Sequence, residues 1–183
     1  MFFLGIDQSL TSSGVCVLEE GADIPRYLTN IPTGKQRGGE RLNTIFTEIL
    51  YAVNRWKPEV AAMEGYSFDS VHRAFDLGEV GGIVRLVLHQ STVPVLTVAP
   101  TQVKKFAGKA SADKEAMRRL VEVRWHQEIE QDDMCDAYVL AQVARAYCNP
   151  ETVTVRAELE VVRGLKKVPQ PQLISYKTRS INT

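Results

Sequence analysis

Asp7, Glu64, Asp133 and Asp136 are the residues of this chain whose types and setting could do chemistry. Asp132, Asp133 and Asp136 open a segment that continues with Ala137, Tyr138, Leu140 and Ala141. Residues three or four apart share one helix face, so acids at that spacing repel each other unless a cation lies between them. A helix N-terminus attracts acids, which accounts for Asp132 as an N-cap and partly for Asp133, but not for Asp136 among apolar neighbours. Asp7 ends the apolar run Phe2, Phe3, Leu4 and Ile6, and Glu64 ends a second run over 59–63. A carboxylate in or beside an apolar strand is costly to desolvate unless something cationic sits over it. The plainer reading of Asp7 is an Asx cap on its own turn. The four acids offer oxygen ligands with no His or Cys, a set that selects hard divalent cations such as Mg2+ or Mn2+. Two such ions ~3.5–4 Å apart can activate a water and stabilise the leaving oxygen in phosphodiester hydrolysis.

The elements that must position these acids follow from the hydrophobic pattern. Residues 1–17 read as a strand, a Ser/Thr-rich turn over 8–13 and a second strand, a hairpin signal. Residues 26–31 read as a third strand, giving an antiparallel meander. Residues 40–56 carry Leu42, Ile45, Phe46, Ile49, Leu50, Val53 and Trp56 at helical spacing, closed by Pro58. The strand over 59–63 is then expected parallel to the first, because the helix supplies the crossover. That arrangement brings Asp7 and Glu64 to the same end of neighbouring strands, where open sheets place their ligands.

Residues 70–90 predict a helix interrupted by Gly78, Gly81 and Gly82, each costing up to ~1 kcal/mol relative to Ala. Glycines there permit close approach to the sheet or to the same helix of a second subunit. A fifth strand is expected over 93–98, then a short helix over 102–107, a basic helix over 113–126 and a last helix from about Asp132 to Cys148. Residues after Pro150 read as an appendage, with loose alternation over 153–162 suggesting a strand.

Bulk properties bound the class. A chain of 183 residues with 44% hydrophobic and 24% charged residues has the profile of a soluble globular domain. It has no apolar run of ~20 residues and no secretory signal pattern. Cys16, Cys135 and Cys148 lack metal-type spacing and read as reduced core thiols, which suggests a cytoplasmic protein. His72 and His89 have no ligand partners at useful spacing. The net charge is zero, yet residues 103–125 hold seven bases against three acids, and residues 161–183 hold five bases and no acid. Such patches suit either a solvated surface or a polyanion partner.

The order of these motifs resembles the RuvC-type Holliday-junction resolvases of the RNase H-like nuclease superfamily. The residues that carry the resemblance are Gly5-Ile6-Asp7 with Gly14, the MEGYSF run at 63–68, TQVK at 101–104, ADKEAM at 112–117 and DMCDAYVLA at 133–141. The resemblance implies an α/β, RNase H-like fold, a five-stranded mixed sheet flanked by helices, over residues 1–150. A basic C-terminal extension over 151–183 has no match in it. It also implies a homodimer that resolves four-way DNA junctions by paired, symmetric, Mg2+-dependent nicks leaving 5′-phosphates. Two Mg2+ per active site are expected, with Mn2+ able to substitute.

Carried over by motif, Asp7, Glu64, Asp133 and Asp136 hold the metals and Lys114 joins them in catalysis. Lys104, Lys105, Lys109, Lys114 and Arg118 are expected to meet DNA, and the helix over 70–90 to form the dimer contact. Two departures stand out. Gln8-Ser9 replaces the family's usual Pro-Gly. The position of the junction-unstacking aromatic is Ser67, flanked by Tyr66 and Phe68, which become the candidates. The chain's compact style is similar to phage-encoded members, for which the compartment would be the host cytoplasm.

Other readings of the same acids are an RNase H-like nuclease for flaps, other branched DNA or structured RNA, an actin-like or sugar-kinase-like ATPase, and a catalytically dead DNA-binding dimer. The ATPase folds need two domains around a nucleotide, more than 183 residues supply. Intact acids at all four positions speak against the dead module.

Overall fold

A computed structural model describes residues 1–66 and 73–167. Phe68, the start of the helix expected from residue 70, His72 and the end of the C-terminal extension lie outside the described residues.

The meander is present: β1 (Phe2–Asp7) pairs antiparallel with β2 (Ser12–Glu19), which pairs antiparallel with β3 (Tyr27–Pro32). Helix α1 (Gly38–Trp56) crosses over, and β4 (Val60–Glu64) returns parallel to β1, as the helical crossover requires. Helix α2 (Ala74–Gln90) leads to β5 (Val95–Val98), parallel to β4, so the sheet order is β3-β2-β1-β4-β5. The chain continues through α3 (Pro100–Ala107), α4 (Lys114–Trp125), α5 (Asp132–Cys148), a 3-10 turn and α6 (Arg156–Lys167).

Successive strand residues point to opposite faces, and the core divides accordingly. Leu4, Ile6, Val15, Val17, Ala61 and Met63 pack under α1 and α2. Phe3, Cys16, Leu18, Val60, Ala62, Leu96 and Val98 pack under α3, α4, α5 and α6. Asp7 shares parity with Phe3, and Glu64 shares parity with Val60 and Ala62. Alternation alone therefore turns both carboxylates toward the face that α5 covers.

Local signals set the helix ends. Lys57 takes a left-handed conformation (φ 49°) and its N–H donates to the Val53 carbonyl, closing α1 just before Pro58. Asp113 caps α4 by accepting from the Ala116 N–H at 2.8 Å. Two expectations are corrected. The N-cap of α5 is Gln131, not Asp132. The strand expected over 153–162 is largely helix, because Glu158, Val161, Val162 and Leu165 fall on one helical face and are buried. Val161, Val162 and Leu165 join the core of the sheet's second face, and Glu158 pairs with Arg124 of α4 at 2.6 Å.

Candidate active site

Ile6 lies opposite Met63 in the parallel register, so Asp7 and Glu64 leave neighbouring strands side by side. Helix α5 brings the other two acids over them, and two glycines decide how close it comes. A Cβ on Gly5 would stand 2.0 Å from the Ala137 carbonyl oxygen, and one on Gly14 would stand 1.9 Å from the Asp133 carbonyl oxygen. Gly14 pairs directly with Asp7 across the hairpin. The backbone of Asp133 thus rests on the strand residue beside Asp7, at a distance only glycine allows.

The result is a cluster of like charges held out of water. Asp7 is 6% exposed. Burial above all, then the charges of Glu64, Asp136 and Asp133, hold its carboxyl well above the usual range. Burial also raises Glu64, against the lowering influence of a hydrogen bond with Asp7 and of the Lys104 ammonium. Asp136 is pushed up to about 7 by burial and by the charges of Glu64, Asp132 and Asp133, with Lys104 opposing. Lys104, in the last turn of α3, is therefore a cation whose field reaches Glu64 and Asp136.

Asp133 has a partner that sequence reasoning missed. The Ser12 hydroxyl lies between Asp133 Oδ2 and Asn30 Oδ1, the latter at 2.7 Å, and its single hydrogen serves one of them. Asn30 Nδ2 donates in turn to Gln131 Oε1 at 2.8 Å, tying β3 to the start of α5. Parity along β2 carries the signal, since Ser12 and Gly14 face the same side as Cys16. Gln8 is the second residue missed. Its Nε2 donates to the Glu64 carbonyl at 3.0 Å and so links the ends of β1 and β4. Ser13, not an Asx cap by Asp7, closes the turn after β1: its hydroxyl accepts from the Ser9 N–H and donates to the Ser9 carbonyl, both at 3.1 Å.

The expected basic residues separate. Lys114 Nζ sits 2.9 Å from Asp132 Oδ2, and Arg118 pairs with the other oxygen of the same carboxylate. The hydrogen bond and charge of Asp132 above all, then the charges of Asp133 and Asp136, raise Lys114, whose exposed side chain is anchored at the start of α5 through Asp132. Lys105 turns instead to α6, where its Nζ is 2.9 Å from Glu160. Lys109 is exposed in the loop between α3 and α4. The Tyr66 hydroxyl accepts from Arg85 Nη1 at 3.0 Å, and the Arg85 guanidinium lies 5.2 Å from the centre of its ring.

Among the described residues no group of three or more His, Cys, Asp or Glu side chains is already arranged as a closed metal site. The donor chemistry nonetheless suits a hard cation. Asp7, Glu64 and Asp136 are gathered where burial above all disfavours their charge, with Asp133 beside them, and a divalent ion would relieve that penalty.

A mixed five-stranded sheet of this order, with acids at the ends of β1 and β4 and at the start of the helix laid across them, defines an RNase H-like nuclease fold. The chain belongs to the RuvC family: the model described as crossover junction endodeoxyribonuclease RuvC matches residues 3–144. RuvC of Hydrogenovibrio crunogenus is 27% identical over 169 residues, spanning 89% of this chain and 95% of that one. RuvC of a Roseiflexus species is 30% identical over 154 residues, spanning 80% and 91%. The structure of Thermus thermophilus RuvC in complex with Holliday junction substrate superposes with a TM-score of 0.71 at 26% identity, covering 83% of this chain and 97% of that one. Among the described residues no helix is long and apolar enough to cross a membrane.

Proposed function

We propose that this protein is a metal-dependent, structure-selective endonuclease that resolves four-way DNA junctions by paired symmetric nicks as a homodimer. The observation that carries the reading is the convergence of Asp7, Glu64 and Asp136, each with its carboxyl raised, at one end of a RuvC-family sheet. Asp7, Glu64, Asp133 and Asp136 would hold two divalent ions, Mg2+ with Mn2+ able to substitute. When bound, such a pair supplies an activated water and charge neutralisation for phosphodiester hydrolysis.

The chain's own residues do the rest. Gly5 and Gly14 fix the height of α5 over the strands. Ser12 orients Asp133, and Gln8 fixes the end of β4 beside Asp7. Lys104 offsets part of the negative charge that would otherwise repel a phosphate. Lys114 and Arg118, held by Asp132, and the exposed Lys109 would meet an incoming DNA backbone; Tyr66 and Phe68, which follow Glu64 in the sequence, are the aromatics that would meet unstacked bases.

The homodimer is supported by one face of α2. Phe75 is 91% exposed and Leu86 45% exposed, and Gly78 and Gly82 between them have open space where a side chain would project. These four residues lie at spacings of three and four on one helix face, an apolar surface with a flat middle. A second copy of α2 fits it, because glycines let two helix backbones approach closely.

The test is cleavage of a synthetic four-way junction, a flap and a linear duplex, each labelled on one strand at a time, with Mg2+ or Mn2+. Symmetric nicks in the junction with the duplex untouched are expected. Cutting mainly the flap would move the activity to trimming of branched DNA, and no cutting with either ion would leave the fold without the activity. Asp7→Asn should abolish the nicks and leave junction binding in place, because basic residues make most phosphate contacts.

A further inference from the structure

Asp132 is the acid of the Asp132-Asp133-Asp136 series that the metal reading leaves unused. It lies at the start of α5, half-exposed, on the face where DNA would approach. A carboxylate there opposes a polyanion, so its presence needs a reason.

Its two oxygens divide between two cations of another helix. Oδ2 is 2.9 Å from Lys114 Nζ, and Oδ1 takes the Arg118 guanidinium, which also reaches the Glu130 carbonyl at 3.4 Å. Lys114 and Arg118 stand four apart and share one face of α4. Lys114 is also the first residue of α4, where the unpaired N–H groups favour an anion. One planar group presenting two anionic oxygens to this pair of cations has the valence of a phosphodiester, which presents two non-bridging oxygens.

We infer that Asp132 is a stand-in for DNA phosphate: in the free protein it holds Lys114 and Arg118 in their binding positions, and an incoming backbone phosphate displaces it. Asp132 is a positioning residue on this account. It keeps two flexible side chains ordered at the start of α5 and sets a threshold that a phosphate must exceed to engage them. The inference rests on the reading of this face as the DNA-binding face.

The experiment measures the affinity of full-length protein for a four-way junction as a function of salt, in Ca2+ or EDTA so that no cleavage intervenes. DNA binding releases about 0.9 cation per phosphate neutralised. In the parent, Asp132 takes back part of that release when its partners leave it. Asp132→Asn removes the competitor, so the plot of log affinity against log salt should steepen by up to about one unit. Asp132→Asn keeps a side-chain oxygen to order the two cations and loses the competing charge, so at low salt the binding should tighten about two- to fivefold, the range of an exposed ion pair.

Lys114→Gln in the Asp132→Asn background should cancel most of the gain, and Asp132→Ser provides a second neutral variant if the first folds poorly. An unchanged slope and affinity with a lowered Tm would overturn the inference and make Asp132 a strut between α4 and α5. Unchanged binding with lost cleavage and a shifted Mg2+ requirement would overturn it by making Asp132 a metal ligand. Failure of the parent itself to bind the junction would defeat the underlying functional reading instead, and the two failures are separable because the parent is measured in every series.

Discussion

Replacing Asp136 by Asn should make the metal-free protein more stable while destroying its activity. The Asp136 carboxyl stands at about 7 in the folded chain against an ordinary value of 3.8, with burial the largest cause. A folded-state value above the unfolded one means that the native chain binds more protons between the two, so stability falls as pH rises through that interval. The displacement corresponds to about 4 kcal/mol by pH 8 and to less than about 2 kcal/mol at pH 5. Below about pH 4 the carboxyl is protonated in both states and the difference vanishes. Asn has the same shape and no charge to desolvate, so Asp136→Asn should recover most of this.

For a chain of this size each kcal/mol moves Tm by about 2–4 °C. In EDTA at pH 8 the variant should therefore melt roughly 5–15 °C above the parent, and the gap should close steadily toward pH 4. Thermal melts of both proteins across pH 4 to 8, monitored by circular dichroism, provide the assay. Added Mg2+ should raise the parent's Tm and leave the variant's nearly fixed. A variant that melts with or below the parent at pH 8, or two pH profiles that run parallel, would refute the claim that Asp136 is held ionised at a cost.

Gly14→Ala would set a methyl group 1.9 Å from the Asp133 carbonyl oxygen; α5 must lift, at about 1–3 kcal/mol, and cleavage of the junction should fall about a hundredfold, a loss visible in single-turnover assays. Because Mg2+ must displace the proton that the metal-free Asp136 carboxyl holds up to about 7, the Mg2+ concentration needed for half-maximal cleavage should rise as pH falls below about 7, and Lys104→Gln should raise it further because the Lys104 charge lowers both Glu64 and Asp136; Mg2+ titrations of both proteins across pH check both points. Leu86→Asp, on the uncovered face of α2, should convert a dimer to a monomer in sedimentation velocity while the monomer keeps its folded circular dichroism spectrum, since Leu86 is 45% exposed in the single chain.

The acids were legible in the sequence because they break a pattern. Asp7 and Glu64 end apolar strands, and the helix between those strands forces them parallel and adjacent, so one argument from chirality brings the pair together. Asp136 announces itself by its buried neighbours. What the sequence hid is pairing between elements far apart in the chain. Nothing in the run of residues 103–125 says that Lys105 turns to Glu160 on α6 while Lys114 and Arg118 converge on Asp132. Nor does the turn after β1 reveal that Ser12 reaches Asp133, 121 residues away. The segment 153–162 misled for a different reason. Its valines favour a strand, but burial of Glu158, Val161, Val162 and Leu165 on one side decides for a helix, and tertiary burial outweighs local propensity.

The spacing between α5 and the sheet connects the fold to the chemistry. Gly5 and Gly14 below, with Ala137 and Ala141 above, remove the side chains that would keep helix and strands apart. Close approach lays the start of α5 on the strand residue that pairs with Asp7, and Asp7 is buried there. The same burial raises the carboxyls of Asp7, Glu64 and Asp136 and disfavours their ionised forms. A larger residue at Ala137 would return Asp7, Glu64 and Asp136 to solvent and lower their pKa values toward the usual carboxylate range. It would also remove the crowding that makes a divalent cation the favourable solution. If these acids hold the proposed ions, the affinity would be set less by the acids themselves than by the four small residues that press helix and strands together.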